Sequence, residues 1–132
     1  MTLMVAAPLS PALTSVRFGL MTAAAHVEGR RTAVILRGEA DSSTTAALAD
    51  VLSWVTAWRS GDVVVDLADL TFIDTAAVDV LAECHRLLEL DGRRMTFRSP
   101  SKLAVRLLRM SALVDQIETA GGDPLSALPS SS

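Results

Sequence analysis

Residues 21–118 alternate between short runs rich in apolar and β-branched residues and segments with helical apolar spacing, and this alternation constrains the fold most. The run 63–65 holds three consecutive valines, which is typical of a strand covered on both faces of its sheet. Before it, apolar residues recur at the i, i+3, i+4 and i+7 spacing of an amphipathic helix, at Leu48, Val51, Leu52 and Val55. Strands that alternate with helices predict a small α/β sandwich.

The pattern predicts the order β-β-α-β-α-β-α-α. The turn at residues 28–30 makes the first two strands an antiparallel hairpin, and Gly38 is expected to end the second. The fold class is α/β with a mixed four- to five-stranded sheet and about four helices. Strands are expected at 21–27, 32–36, 63–65 and 95–97, with an extended approach at 71–73, and helices at 43–58, between Asp74 and Gly92, after Pro100-Ser101 and within 111–118. Leucines expected to face the core from the last three of these segments include Leu81, Leu87, Leu88, Leu103, Leu107, Leu108 and Leu113.

A chain of 132 residues suits one domain. We expect this domain at residues 20–118, a flexible N-terminal extension at residues 1–19 and a flexible Gly/Pro/Ser tail at residues 119–132. The apolar start does not fit a signal peptide, because no Lys or Arg precedes Arg17 and two prolines interrupt the run. No run is long enough for a membrane helix, so a cytoplasmic protein without membrane contact is predicted.

Composition argues against several function classes. The net charge of −3 and the five aromatic residues disfavour nucleic-acid binding. A single cysteine, Cys84, and two distant histidines, His26 and His85, give no metal-ligand spacing, so neither a metal nor a cofactor is expected. Cys84 is predicted to be a small core residue and His85 a surface or half-buried helical residue. Because no nucleophile elbow or phosphate-binding glycine loop is present, the chain is predicted not to be an enzyme.

The charges are divided along the chain. Residues 62–91 contain eight acidic residues and one basic residue, whereas residues 93–109 contain six basic residues and no acidic one. Lys102, Arg106 and Arg109 share one face of the third predicted helix. This face is either a solvated surface or a docking surface for an acidic partner protein.

Three segments together resemble the STAS domain of anti-anti-sigma factors. The first is Leu36-Arg37-Gly38-Glu39-Ala40-Asp41, followed by Thr44. The second combines Val63-Val64-Val65-Asp66-Leu67 with Phe72-Ile73-Asp74-Thr75 and the helix after it. The third joins the strand at 94–97 to Ser99-Pro100-Ser101 and to Ser111-Ala112-Leu113. The resemblance covers about residues 21–118 and implies a STAS-like sandwich.

The resemblance implies a protein switch. Family members bind an anti-sigma factor that is also a serine/threonine kinase, and so release a sigma factor. The kinase phosphorylates a Ser or Thr directly after the Ile-Asp pair, which is Thr75 here. A monomer or weak dimer is expected. The residues expected to bind the partner are Gly38, Glu39, Asp41, Ser42, Asp74, Thr75, Ala76 and Asp79.

Departures from the family pattern leave alternatives open. Ala76-Ala77 replaces a Ser-Gly pair, and Asp79 replaces a further glycine. Asp79 lies four residues after Thr75, on the same helix face, where it supplies a negative charge. One alternative is therefore a STAS-like interaction module of another signalling assembly that is not regulated by phosphorylation, with Thr75 serving as a helix cap. Another is an acid cluster of Asp41, Asp66 and Asp74 that binds Mg²⁺.

Overall fold

The computed structural model of the protein describes residues 14–118, which form one five-stranded sheet in the order β1-β2-β3-β4-β5 with three α-helices and a 3₁₀ turn. The first three strands are antiparallel, whereas β3, β4 and β5 are parallel, so the predicted mixed sheet is confirmed. The elements are β1 (Thr14–Phe18), β2 (Met21–Glu28), β3 (Arg31–Ala40), α1 (Thr45–Trp58), β4 (Val63–Ile73), α2 (Thr75–Leu90), β5 (Met95–Arg98), α3 (Lys102–Met110) and the 3₁₀ turn Val114–Gln116.

Strand β1 is an addition to the sequence-based prediction. Thr14–Phe18 lies within the N-terminal extension expected at residues 1–19, but it pairs antiparallel with β2 at the sheet edge. Gly19 makes the tight connection between the two strands at a φ of 57°. The expected flexibility of residues 1–13 and of the tail at 119–132 lies outside the described residues.

The strand β3 continues past Gly38 to Ala40, so the expectation that this glycine ends the strand is wrong. Instead, the register against β4 shifts between Gly38 and Glu39. The φ of Gly38 is 92°, and a Cβ atom there would lie 2.0 Å from the carbonyl oxygen of Leu20. Glycine is needed because the β1–β2 turn crosses its backbone closely.

The core lies between one face of the sheet and the helices. Val63, Val64 and Val65 are all buried, as their apolar run predicted. Two inward leucines were predicted wrongly, since Leu87 is 52% exposed and Leu103 is 38% exposed. The predictions for Leu81, Leu88 and Leu108 are confirmed, and the other buried residues of these helices are Ala77 and Val78 on α2 and Ala104 on α3. Within residues 14–118, no helix has the length and apolar character needed to cross a membrane.

Candidate functional site

Two loops meet where the neighbouring parallel strands β3 and β4 end. Ala40 and Ile73 are the last paired residues of these strands. Asp41 and Asp74 follow them directly and therefore occupy equivalent positions at one edge of the sheet. The loop after β3 and the start of α2, which the sequence singled out separately, form one surface. We call residues 38–42 and 74–79 the candidate site.

Asp74 joins the two halves of the candidate site. Its Oδ2 atom accepts a hydrogen bond from the backbone N–H of Ser42 at 3.1 Å. Its Oδ1 atom accepts one from the backbone N–H of Ala77 at 3.1 Å, so Asp74 is the N-cap of α2. One carboxylate thus caps the helix and fixes the neighbouring loop against it.

The loop after β3 is also held by its own hydrogen bonds. Asp41 Oδ1 accepts from the backbone N–H of Ser43 at 2.9 Å and from its hydroxyl at 2.6 Å. These bonds, the hydroxyl bond first, lower the pKa of Asp41. The buried Thr44 hydroxyl accepts from the N–H of Asp41 at 3.0 Å. The loop therefore presents Ser42 and Ser43 to solvent in a fixed conformation.

Hydrogen bonds hold Gly38 and Glu39 from two sides, the β1–β2 turn and strand β4. The N–H of Glu39 donates to the carbonyl of Leu20 at 3.0 Å. The hydroxyl of Thr71 donates to the carbonyl of Gly38 at 3.0 Å. The sequence did not indicate Leu20 or Thr71 as part of this site. Leu20 contributes only its backbone carbonyl, and Thr71 bonds to Gly38, which lies 33 residues earlier in the chain.

Thr75 is exposed at the first position of α2, one residue after the N-cap. Asp74 and Thr75 were both possible caps of this helix, and the structure assigns the role to Asp74, so the alternative in which Thr75 is the cap is not found. The side chains of residues 19–118 offer the Thr75 hydroxyl no hydrogen-bond partner, and the backbone N–H groups of Thr75 and Ala76 donate no hydrogen bond within the described structure. Unpaired N–H groups at a helix start give a positive end that favours an added anion.

The candidate site is acidic. Among the residues whose side chains the structure describes, 19–118, none forms an ion pair with Glu39, Asp41, Asp74 or Asp79. Asp79 is exposed one turn after Thr75. Ala76, between the acidic residues, is half-buried. The neutral Thr75 hydroxyl thus lies between Asp74 and Asp79, two carboxylates without a cationic partner among those side chains.

The acid cluster proposed as a Mg²⁺ site is not assembled. Asp66 lies within β4 and faces the guanidinium of Arg98 at 4.0 Å, whereas Asp41 and Asp74 lie at the strand ends. Within residues 14–118, no group of three or more His, Cys, Asp or Glu side chains is arranged to hold a metal ion.

The remaining nucleophile and base candidates are embedded in helix α2. Burial raises the pKa of the Cys84 thiol to about 11, which leaves little reactive thiolate at neutral pH. His85 is half-buried, and its Nε2 atom lies 3.5 Å from the carboxylate of Glu89. Cys84 was predicted to be a core residue, but it is half-buried at the edge of the core, whereas His85 has the half-buried helical position that was one of the two expected for it.

Comparisons with known proteins give a family for this chain and several solved structures of similar fold. A family model described as Mlab, STAS domain, matches residues 23–119. The structure of the anti-sigma factor antagonist SpoIIAA in its unphosphorylated form is similar, with 19% identity, a TM-score of 0.66 and coverage of 74% of this chain and 87% of that chain. The phosphorylated form of the Bacillus cell fate determinant SpoIIAA shares 18% identity at a TM-score of 0.61, covering 83% of this chain and 91% of the other.

A third similar structure is an anti-sigma factor antagonist from Mycobacterium paratuberculosis, with 18% identity and a TM-score of 0.67. The alignment covers 91% of this chain and 97% of that chain. No curated protein sequence matches. At these identities the solved structures establish a shared fold.

Proposed function

The chain belongs to the STAS domain family, and from this premise we propose that it is an anti-anti-sigma factor, which binds an anti-sigma factor serine/threonine kinase in the cytoplasm and so releases a sigma factor. The similar folds of SpoIIAA and of the mycobacterial anti-sigma factor antagonist support this role. The proposed binding surface is the candidate site at the carboxyl ends of β3 and β4.

The hydrogen bond from Ser42 to Asp74 carries the proposal. It joins the two segments that resemble the family motifs into one surface, beside the exposed Thr75 hydroxyl. The expected partner residues Gly38, Glu39, Asp41 and Ser42 lie on one side of this bond, and Asp74, Thr75, Ala76 and Asp79 lie on the other. Because the carboxylates have no ion-pair partner among the described side chains of residues 19–118, we expect them to be available to basic groups of a bound protein.

Phosphorylation of Thr75 is the proposed off-switch. The Thr75 oxygen attacks the γ-phosphorus of the kinase-bound ATP, the hydroxyl proton is lost, and ADP leaves. The product carries about −1.5 to −2 additional charge at pH 7. This charge lies beside Asp74, one turn from Asp79 and next to the phosphates of the departing ADP. Repulsion and the cost of desolvating the phosphate then separate the two proteins without a change of fold.

The test mixes the purified protein with candidate anti-sigma factor kinases and ATP, and reads phosphate at Thr75 by mass spectrometry. We expect Thr75→Val to abolish phosphorylation and Thr75→Glu to weaken complex formation about tenfold or more, equal to at least 1.4 kcal/mol. Thr45→Val is the matched control, because Thr45 is the first residue of α1 as Thr75 is of α2. Failure of every kinase to form a complex would overturn the proposed function.

One observation favours a second candidate, a STAS-domain interaction module of another assembly that is not regulated by phosphorylation. Asp79 already places a permanent carboxylate one turn from the proposed acceptor, and Ala76-Ala77 adds methyl groups beside it. This candidate predicts a complex that Thr75→Glu leaves unchanged. A kinase that binds tightly and transfers no phosphate to Thr75 would select it over the first.

A further inference from the structure

An apolar groove of about 530 Å³ runs between helices α1 and α2. Leu52 of α1 and Val80, Cys84 and Leu87 of α2 contribute to its walls. Leu87 is the exposed leucine whose burial the helical spacing predicted. The apolar stripe of α2 is therefore wider than the face that the sheet covers, and its uncovered part lines this groove.

The α2 side of the groove is acidic. Asp79 and Glu83 lie one turn apart along it, and Asp91 stands at its far end. Glu83 is paired with Arg86 at 2.7 Å and Asp91 lies 3.6 Å from Arg93, whereas Asp79 has no ion-pair partner among the described side chains, residues 19–118. The groove thus offers one uncompensated negative charge beside an apolar floor.

The length of the groove is set by helix α2 and by Arg93. Asp91 lies twelve positions after Asp79, which corresponds to about 18 Å of helix, or about three turns. Arg93 closes the far end, because its guanidinium donates to the backbone carbonyls of Thr56, Arg59 and Gly61 at 2.6–3.0 Å. An occupant of about three helical turns matches this length.

We propose that the groove between α1 and α2 binds an amphipathic helical segment of a partner protein, with apolar residues against Leu52, Val80 and Leu87 and a basic side chain against Asp79. Charge complementarity selects this occupant. The chain's own terminal segments do not supply it, since residues 1–13 contain no charged side chain and residues 119–132 contain only the acidic Asp123. A second copy could offer the basic face of α3, but contact between two different faces requires a ring or an open chain of subunits, so a separate partner protein is the simpler occupant.

This groove is distinct from the surface around Thr75. Thr75 does not line it, and only Asp79 belongs to both. The inference therefore goes beyond the proposed function. Occupation of the groove needs neither a kinase nor a phosphate, so its test and the kinase test fail independently of each other.

The test uses the full chain and two synthetic helical peptides of about 12 residues. Both carry leucines at i, i+3 and i+7, and one has lysines where the other has glutamates. Cys84 is the only cysteine of the chain and lines the groove, so its alkylation rate, followed at about pH 9 where more of the thiol is ionised than at neutral pH, reports occupancy directly. We expect the lysine peptide to slow alkylation of Cys84 and the glutamate peptide to leave the rate unchanged.

Two exposed leucines of α2 provide a matched pair of variants. Leu87 lines the groove, whereas Leu90 is 75% exposed and does not. We expect Leu87→Glu to weaken the lysine peptide about tenfold, and Leu90→Glu to change its affinity less than about twofold. Leu87→Gln serves as a second variant, and thermal unfolding verifies that each variant folds. Asp79→Asn should weaken the peptide mainly at low salt.

Three results would overturn the inference. The first is equal protection of Cys84 by both peptides, or protection by neither. The second is an equal loss of affinity in the Leu87 and Leu90 variants. The third is concentration-dependent self-association that Leu87→Glu and Arg106→Glu both abolish, which would make a second copy the occupant.

Discussion

The charged residues on the sheet face away from the helices differ from those at the candidate site in how they are paired. On that face, Arg98 donates to both carboxylate oxygens of Glu28 at 2.8 and 3.0 Å. Arg31 pairs with Glu118, whose side chain is only 6% exposed and also accepts from the Thr96 hydroxyl at 2.8 Å. At the candidate site, by contrast, the four carboxylates have no cationic partner among the side chains of residues 19–118, the part in which side chains are described.

The difference separates charges that hold the fold from charges that are available to a partner. Glu28 and Arg98 are 70 residues apart in sequence, and Arg31 and Glu118 are 87 apart. Arg31 and Arg98 hold Glu118, the last described residue, against β3 and β5, and Arg98 also joins β5 to β2 through Glu28. The carboxylates of the candidate site fasten no such distant segments by ion pairs, so their charge remains free for recognition.

The largest effect is expected from Arg98→Met. This change removes the hydrogen bonds to Glu28 and the contact with the buried Glu118, and leaves Arg31 as the one arginine beside both carboxylates among residues 19–118. We expect the free energy of unfolding to fall by about 2–3 kcal/mol, because hydrogen bonds between charged groups are lost at a half-buried site. The measurement is urea unfolding followed by circular dichroism.

Arg37→Met is the control for this prediction. Arg37 pairs with Asp69 at 3.1 Å, but both side chains are 54% exposed. An exposed pair of this kind contributes less than about 1 kcal/mol. Equal losses of stability in the two variants would show that the ion pairs on this sheet face do not hold the fold more than surface pairs do.

The second expected effect is acid sensitivity through Glu28. The hydrogen bond from Arg98 is the main cause that lowers the pKa of Glu28 from 4.5 to about 2. Because the folded-state pKa lies below the unfolded value, the stabilisation is complete above pH 4.5 and is lost as the pH falls toward 2. Unfolding of the wild type and of Glu28→Gln should therefore differ most above pH 4.5 and converge near pH 2. A stability difference independent of pH would contradict this assignment.

The sequence predicts elements best where one local pattern suffices. The valine run at residues 63–65 and the helical spacing of α1 are both found as expected. The sequence did not predict the middle of β4, because Asp66, Ala68 and Asp69 are residue types that are uncommon in strands. This part of the chain is extended because β4 pairs with β3. Strand β1 was also missed. Thr14, Val16 and Phe18 alternate with polar residues as in a strand, but the segment is only five residues long and its pairing with β2 is a property of the folded sheet.

The candidate site is predictable to a similar extent. Asp41 and Asp74 each follow a strand directly. Their proximity can be predicted once the two strands are known to be parallel neighbours. Which of Asp74 and Thr75 caps α2 is decided only by the hydrogen bonds of the folded chain. The basic segment at residues 93–109 shows the same limit, because the sequence does not distinguish its paired residues from its exposed ones. Backbone carbonyls bind Arg93, and Glu28 binds Arg98. The side chains that remain exposed are those of Lys102, Arg106 and Arg109.

A smaller stability effect is expected at Asp74, whose carboxylate joins the two halves of the candidate site. Asp74→Ala removes the N-cap of α2 and the bond from Ser42, so we expect a loss of about 1–2 kcal/mol in unfolding free energy. Asp74→Asn retains an N-cap acceptor and should lose less, while Asp79→Asn should stay within about 0.5 kcal/mol of the wild type.

The same three variants separate structure from recognition when complex formation with a kinase partner is measured alongside unfolding. Asp79→Asn should weaken the complex with no loss of stability, because its charge has no partner among the described side chains of residues 19–118. Asp74→Ala should lose both, since the Ser42 loop is released from α2. If Asp79→Asn destabilised the fold as much as Asp74→Ala, the carboxylates of the candidate site would be structural like those around Arg98, and the contrast between the two regions would not hold.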